Sequence, residues 1–298
     1  MSDSTSQIVI LGHTGFIGNA LFKHFCTNGD IPVHGFDSSS LDLTQPDALA
    51  TLAAVLDTQT LLVFTAAHTL DRAADCLDTF DTNMAMALNV ARVLTMQPVR
   101  KCVYFSTMSV YGDRASNLSL REDTPVAPTT YYAAAKYAGE CVLQQVAHAA
   151  DFPLLVLRPC RVEGPGACYA SYGPVHFIRA ILGNSTVWLY GDGRERRDHL
   201  YIHDLVRIVA HLVCGDYTGV YNLASGQSHS YLEILACLQD IVPQEFTVHY
   251  QPRTRPLIHQ QCDISKLLCA MPHCQFTPLT ERLRATYDYY ASRQRVAD

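Results

Sequence analysis

Short apolar runs separated by longer mixed stretches recur along the first half of the chain. Gln7–Leu11, Pro32–Phe36, Leu61–Thr65, Cys102–Ser106 and Leu154–Leu157 are apolar and rich in β-branched or aromatic residues. Each is too short for a typical helix and reads as a strand. Between them Phe16–Thr27, Pro46–Leu56, Thr79–Met96 and Thr130–His148 read as helices. Strands alternating with helices predict a parallel sheet covered on both faces, and near-continuous apolar strands fit burial on both sides. After Arg158 the pattern changes. Glu163–Pro174, rich in Gly, Pro and Tyr, reads as an irregular crossing. Val175–Leu182, Leu205–Cys214, Tyr231–Ile241 and Leu279–Ser292 read as helices, Val187–Tyr190 and Val220–Leu223 as strands, and Gly191-Asp192-Gly193 as a turn. The expected class is α/β: a doubly wound parallel sheet over residues 1–165, to which 200–225 return, and a smaller C-terminal α/β substrate domain over 166–298.

The composition is that of a globular chain, with 298 residues, 48% hydrophobic and 17% charged. A net charge of −6 argues against a nucleic-acid surface, whereas a small phosphorylated ligand needs only a few local arginines. The start, Met1 to Gln7, has neither a basic nor an apolar segment, and no apolar run reaches membrane-spanning length. The expectation is a cytoplasmic protein with no membrane partner. None of the eleven cysteines forms a Cys-x-x-Cys pair. Cys262, Cys269 and Cys274, with His273, fit no common zinc spacing, so free thiols and no metal are expected.

Gly12-His13-Thr14-Gly15-Phe16-Ile17-Gly18 stands between the first strand and the first helix. Glycines there let the backbone turn tightly and approach a pyrophosphate. The helix start adds N–H groups and the positive end of its dipole. Asp37 ends the second strand, 19 residues after Gly18. A carboxylate at that place accepts hydrogen bonds from ribose hydroxyls and repels a 2′-phosphate, so NAD is expected over NADP.

Tyr132-Ala133-Ala134-Ala135-Lys136 puts a phenol and an ammonium on one helix face. A free tyrosine, with a pKa of about 10, is a poor base at neutral pH, and a nearby Lys⁺ favours its phenolate. The tyrosine can then exchange a proton with a substrate hydroxyl while hydride moves to or from a nicotinamide.

With Ser106-Thr107-Met108-Ser109-Val110-Tyr111-Gly112 just after a strand, these motifs closely resemble the extended short-chain dehydrogenase/reductase family, the NAD-dependent epimerases and dehydratases of nucleotide sugars. The likeness continues through Arg158-Pro159, Gly164-Pro165-Gly166, Arg197-Asp198, Ile202-His203-Asp204, Tyr221–Gly226 and Asp263–Lys266. It implies a Rossmann-type domain and a nucleotide-sugar substrate. In it Thr107 shares a substrate oxygen with Tyr132, and Lys136 also holds the nicotinamide ribose. Asp42 and Leu43 resemble the pair at the adenine, Ala66 and Ala67 the residues under the cofactor, and Asn83 a helix-opening Asn. The resemblance places Ser109, Arg161 and His176 toward the substrate and Arg197 on its diphosphate. It also implies a homodimer through the Thr79–Met96 and Thr130–His148 helices.

Some positions depart from the family. Arg161 replaces a usual Asn, and Glu163 a usual aromatic. The pair reads either as a changed substrate pose or as an internal ion pair. His176 resembles the acid of the GDP-fucose synthase branch, but the Cys paired with that acid is here Ser109. His176 is thus a candidate acid/base or a contact to a sugar hydroxyl or phosphate. The family's 4,6-dehydratases carry an Asp-Glu pair after the catalytic Thr, where this chain has Met108-Ser109, which argues against dehydration. Epimerisation through a transient keto-sugar and reduction of a 4-keto-6-deoxy sugar stay open. Asp37 leans to the first, and the short Asp37–Asp42 stretch with Ala66–Thr69 resembles the second. A non-catalytic NAD-sensing regulator fits less well, because Thr107, Tyr132 and Lys136 are all present.

Overall fold

The computed structural model describes residues 5–69, 74–113, 119–167, 173–253 and 257–297. The first residues of the polar start and 168–172 of the expected crossing lie outside them. Two compact units divide the chain. One takes Met1–Gly112, Glu122–Pro159 and Val206–Leu223, the other Asp113–Arg121, Cys160–Leu205 and Ala224–Asp298.

The first unit alternates strictly: β1 Gln7–Leu11, α1 Phe16–Asn28, β2 Val33–Phe36, α2 Ala48–Val55, β3 Thr60–Phe64, α3 Leu77–Met96, β4 Lys101–Phe105, α4 Tyr131–Ala149 and β5 Leu154–Pro159. In the second unit follow β6 Arg161–Glu163, α5 Pro174–Asn184, β7 Thr186–Tyr190 and β8 Arg196–Tyr201. Helix α6, Ile202–Cys214, begins in the second unit and ends in the first, which β9 Gly219–Leu223 completes. The second unit closes with β10 Ser228–Ser230, α7 Tyr231–Ile241, β11 Thr247–Gln251, α8 Ser265–Ala270 and α9 Leu279–Ala297.

Six parallel strands run in the order β2-β1-β3-β4-β5-β9, the doubly wound α/β sheet expected from the alternation. Both faces are buried, as the continuous apolar strands require. Val9, Leu11, Leu62, Phe64 and Tyr104 share a core with residues of α2, α3 and α4, while Ile8, Ile10, Leu61 and Val63 on the other face are equally inaccessible. The chain reverses its direction of travel across the sheet between β1 and β3. The glycine loop and Ala66 follow those two strands, so they meet at the switch point where open α/β sheets bind ligands.

The second unit holds a three-stranded sheet, β10-β8-β6, and a parallel pair, β11-β7. Its core gathers Phe177 and Ile181 of α5, Val187 and Leu189 of β7, Leu238 of α7 and Leu283 of α9. Sequence patterning did not predict β6, β8, β10, β11 or α8. Strand β8 begins Arg-Arg-Asp-His, a run that hydrophobic periodicity cannot see, and its Arg197, Asp198 and His199 are all buried. No helix among the described residues is long and apolar enough to cross a membrane.

Candidate active site

Two glycines of the loop are fixed by close contact. Gly12 has φ +89°, and a Cβ there would lie 2.7 Å from the backbone of Ala66. A Cβ on Gly18 would lie 2.2 Å from the Gly12 carbonyl oxygen. Any side chain at either position would push the loop off the β3 end or α1 off the loop. Gly15 is the N-cap of α1 and makes no side-chain cap hydrogen bond. The main chain of Gly12–Gly18, close against Ala66, is the part of the unit that could hold a pyrophosphate.

Asp37 follows β2 at the surface. Its Oδ1 accepts hydrogen bonds from the hydroxyl and N–H of both Ser39 and Ser40. These hold the carboxyl down at about 2, with the Ser39 hydroxyl contributing most. The carboxylate therefore stays charged at neutral pH, and the four donors leave Oδ2 uninvolved. Asp42 likewise accepts from Thr44, and Leu43 beside it is buried. Titration with both cofactors is expected to show NAD binding roughly tenfold or more tightly than NADP, from repulsion of a 2′-phosphate. Equal or tighter NADP binding would mean Asp37 serves only its loop.

Helix α4 carries Tyr132 and Lys136. Its start is held twice: Thr130 accepts from the Ala133 N–H at 3.1 Å, and Asp75 accepts from the N–H groups of Tyr131 and Tyr132 at 3.3 and 3.1 Å. Lys136, one turn on, is 2% exposed. Its Nζ lies 4.1 Å from the Tyr104 ring centroid and 5.7 Å from that of Phe64. Burial pulls its pKa down to about 7, against an opposing pull from Glu140. Thr107 follows β4 and opens a single 3-10 turn, Met108–Tyr111. Its hydroxyl accepts from the Ser109 N–H and donates to the exposed Ser109 Oγ, both at 3.2 Å. Ser106, the other hydroxyl of this segment, is turned inward to Glu140. Asn83 does not open a helix, since α3 begins at Leu77. From its second turn the Asn83 amide bonds both the N–H and the carbonyl of His68 and so shapes the loop after β3.

Patterning missed a buried polar group behind this face. The Glu140 carboxylate receives Ser106 Oγ and, at 3.0 and 2.6 Å, Nε and Nη2 of Arg158. Arg158 also donates to the Tyr111 hydroxyl, which donates to Asn222, each at 2.8 Å. All five residues are at most 4% exposed. The spacing Tyr132, Lys136, Glu140 was the available signal, because it puts a carboxylate on the buried side of α4 one turn beyond Lys136.

In the second unit Arg161 and Glu163 do not form the ion pair considered above. Arg161 is exposed, and Glu163 is buried against Arg282 of α9, Oε1 to Nε 3.2 Å. Burial raises the Glu163 carboxyl, and Arg282 opposes the rise. His176 is the third residue of α5, half-buried, with its ring 6.2 Å from that of Phe177. Arg197 is buried, and both Nε and Nη2 reach Glu195 Oε1. Arg253 takes Glu195 Oε2 at 2.8 Å, so two guanidiniums share one carboxylate. Within Arg194–Asp198, Arg197 and Asp198 are thus built into the unit by Glu195 and by donors of Ser225 and Gly226, while Arg194 and Arg196 stay exposed.

The model of the NAD dependent epimerase/dehydratase family matches residues 8–224, from β1 to just past β9. The chain belongs to this family. Relatives of this family member include UDP-glucuronic acid decarboxylase 2 of Arabidopsis thaliana, 21% identical over 280 residues. That match covers 87% of this chain and 62% of the relative, so the chain spans less than two-thirds of that protein's length. UDP-glucose 4-epimerase of Mycoplasma pneumoniae is 23% identical, covering 90% of this chain and 92% of the relative. The solved UDP-N-acetylglucosamine 4-epimerase of Methanobrevibacter ruminantium superposes with a TM-score of 0.84 at 24% identity, over 97% of this chain and 99% of that one.

Proposed function

We propose that this member of the family uses NAD to epimerise a nucleotide-linked hexose through a transient keto-sugar. The observation that carries the reading is the joint placement of the glycine loop, the Thr107 hydroxyl and the Tyr132–Lys136 face in one unit. The residues fit the dinucleotide: Gly12, which has no Cβ, lies against Ala66, and an ionised Asp37 stands after β2. Gly12–Gly18, Ala66 and Ala67 would hold the pyrophosphate half, Asp37 a ribose, and Asp42-Leu43 the adenine side. Bound NAD supplies the hydride chemistry.

The chain supplies the proton chemistry. Tyr132 takes the proton of the sugar hydroxyl that becomes the ketone and returns it when the ketone is reduced. Lys136 favours the phenolate through its charge. Thr107, whose hydroxyl is tied only to Ser109 near the surface, shares the same oxygen, while Ser106 is committed to Glu140. Ser109, Arg161 and His176 are assigned to the sugar and its phosphates. Asp37, which favours NAD, supports epimerisation over reduction. The UDP-sugar substrates named for the relatives supply the probes, UDP-glucose first among them.

Arg197 is assigned to the diphosphate. Its planar guanidinium can meet phosphate oxygens bidentately; here it faces Glu195, while Arg253 pairs with both Glu195 and Asp192. Arg197→Lys keeps the charge and loses the planar fork. It should raise KM for UDP-glucose by roughly tenfold, and by much less for the free sugar. An unchanged KM would leave Arg197 a structural partner of Glu195. The test of the whole reading is ligand retention: mass analysis of the denatured protein should release NAD. Protein that neither carries nor binds NAD would overturn it.

A further inference from the structure

Lys136 is a buried cation, and a buried charge needs a partner. Around its ammonium stand Tyr104 and Phe64, whose ring faces offer only partial negative charge. Tyr104 itself is fully buried, and its hydroxyl donates to the Lys136 carbonyl at 3.4 Å. Tyr132 adds a phenol from the same helix. Among the described residues, the formal negative charge acting on Lys136 is Glu140, a turn further on, and Glu140 is not free to serve Lys136 alone. Arg158 grips both of its oxygens, and Ser106 donates to one of them. Arg158 is in turn fixed by Tyr111, and Tyr111 by Asn222.

We propose that the Glu140–Arg158 ion pair is a positioning element for the Tyr132–Lys136 couple. It ties the Lys136 turn of α4 to the Ser106–Thr107 strand end, and it meters how much negative charge Lys136 experiences. Geometry gives it both roles. Ser106 precedes Thr107, so the hydrogen bond from Ser106 to Glu140 fixes the strand end to the helix that carries Tyr132 and Lys136. The strength of Glu140 as counter-charge is set by Arg158, which offsets it. With Glu140 uncompensated, Lys136 would hold its proton more firmly. With Glu140 neutral, the buried ammonium would lose it sooner. The pair thus keeps Lys136 near the point where its charge can act on Tyr132 at neutral pH. This inference rests on the reading of Tyr132 and Lys136 as catalytic.

The test reads Lys136 directly. The chain has four lysines, Lys23, Lys101, Lys136 and Lys266, so ¹³Cε-lysine NMR resolves them. The Lys136 signal is the one lost in Lys136→Met. In the NAD-loaded protein, Glu140→Gln should move the Lys136 titration midpoint down by about one pH unit or more, and Arg158→Met should move it up. A packing defect would not shift the two in opposite directions. Either variant leaves a buried charge unpaired and can fail to fold. Glu140→Gln/Arg158→Met removes both charges, which folds more readily, and its midpoint should lie between those of the two single variants, shifted down less than in Glu140→Gln because the repelling Arg158 cation is gone too. Unmoved midpoints in the folded variants, or shifts in the same direction for the two single variants, would overturn the proposal. The titration needs no turnover, so it can fail while Tyr132→Phe still abolishes activity. Equally, Tyr132→Phe can leave activity intact while the titration succeeds.

Discussion

Tyr132→Phe lowers turnover about a hundredfold or more while NAD affinity stays close to that of the native protein. The substitution removes one hydroxyl and keeps the ring. Helix α4 keeps its start, because Asp75 and Thr130 bind main-chain N–H groups and not the Tyr132 side chain. Lys136 keeps its aromatic surroundings of Phe64 and Tyr104. What is lost is the group that takes and returns the sugar hydroxyl proton. Steady-state turnover with UDP-glucose, set beside a cofactor titration of the same sample, separates the two quantities. Near-native turnover would remove Tyr132 from the chemistry. A parallel loss of NAD binding would make its role structural.

The second large effect falls on stability. Arg282→Met leaves Glu163 buried without its cation and should cost about 3–5 kcal/mol. Both side chains are almost inaccessible, and Arg282 Nη1 also donates to the His199 carbonyl. The two Glu163 oxygens have no hydrogen-bond partner to fall back on. The loss should depend on pH in a defined direction. The Glu163 carboxyl is already raised by burial, and losing Arg282 raises it further. Between the unfolded carboxylate range, about 4.3, and that higher folded value, the native state binds more protons than the unfolded one. Stability of the variant therefore falls as pH rises through this window. Urea unfolding should show a smaller deficit under mildly acidic conditions than under mildly basic ones. Glu163→Leu/Arg282→Met should recover most of the loss, because a buried pair replaced by apolar groups is often tolerated. A deficit that is small and independent of pH would show that the pair contributes little.

The first unit was legible because its signals are local. Its strands are buried on both faces, so the apolar runs Leu61–Thr65 and Cys102–Ser106 stand out and overlap the strands Thr60–Phe64 and Lys101–Phe105. The glycine loop, Asp37 and the Tyr132–Lys136 spacing lie within single turns or strand ends. What escaped depends on residues far apart in the chain. Nothing in the sequence around Arg161–Glu163 announces that Glu163 meets Arg282 of the last helix. Strand β8 hides behind Arg196-Arg197-Asp198, whose charges are compensated by Glu233, Glu195 and the donors of Ser225 and Gly226. Helix periodicity marks Glu140 as facing the Lys136 side, but only the fold brings Arg158 of β5 to it. The loop role of Asp37 illustrates a different limit. A carboxylate placed for a ribose and one that closes a turn on Ser39 and Ser40 look the same in sequence, and the structure shows the second.

The central claim is that hydride leaves the sugar and returns to it within one turnover. The NAD-loaded protein is incubated with UDP-glucose, the sugar products are separated, and the absorbance of reduced nicotinamide is followed throughout. An epimer of the substrate should accumulate to an equilibrium ratio with no net gain or loss of reduced nicotinamide. Turnover that consumes reduced nicotinamide in step with each 4-keto sugar, and leaves UDP-glucose untouched, would contradict that claim.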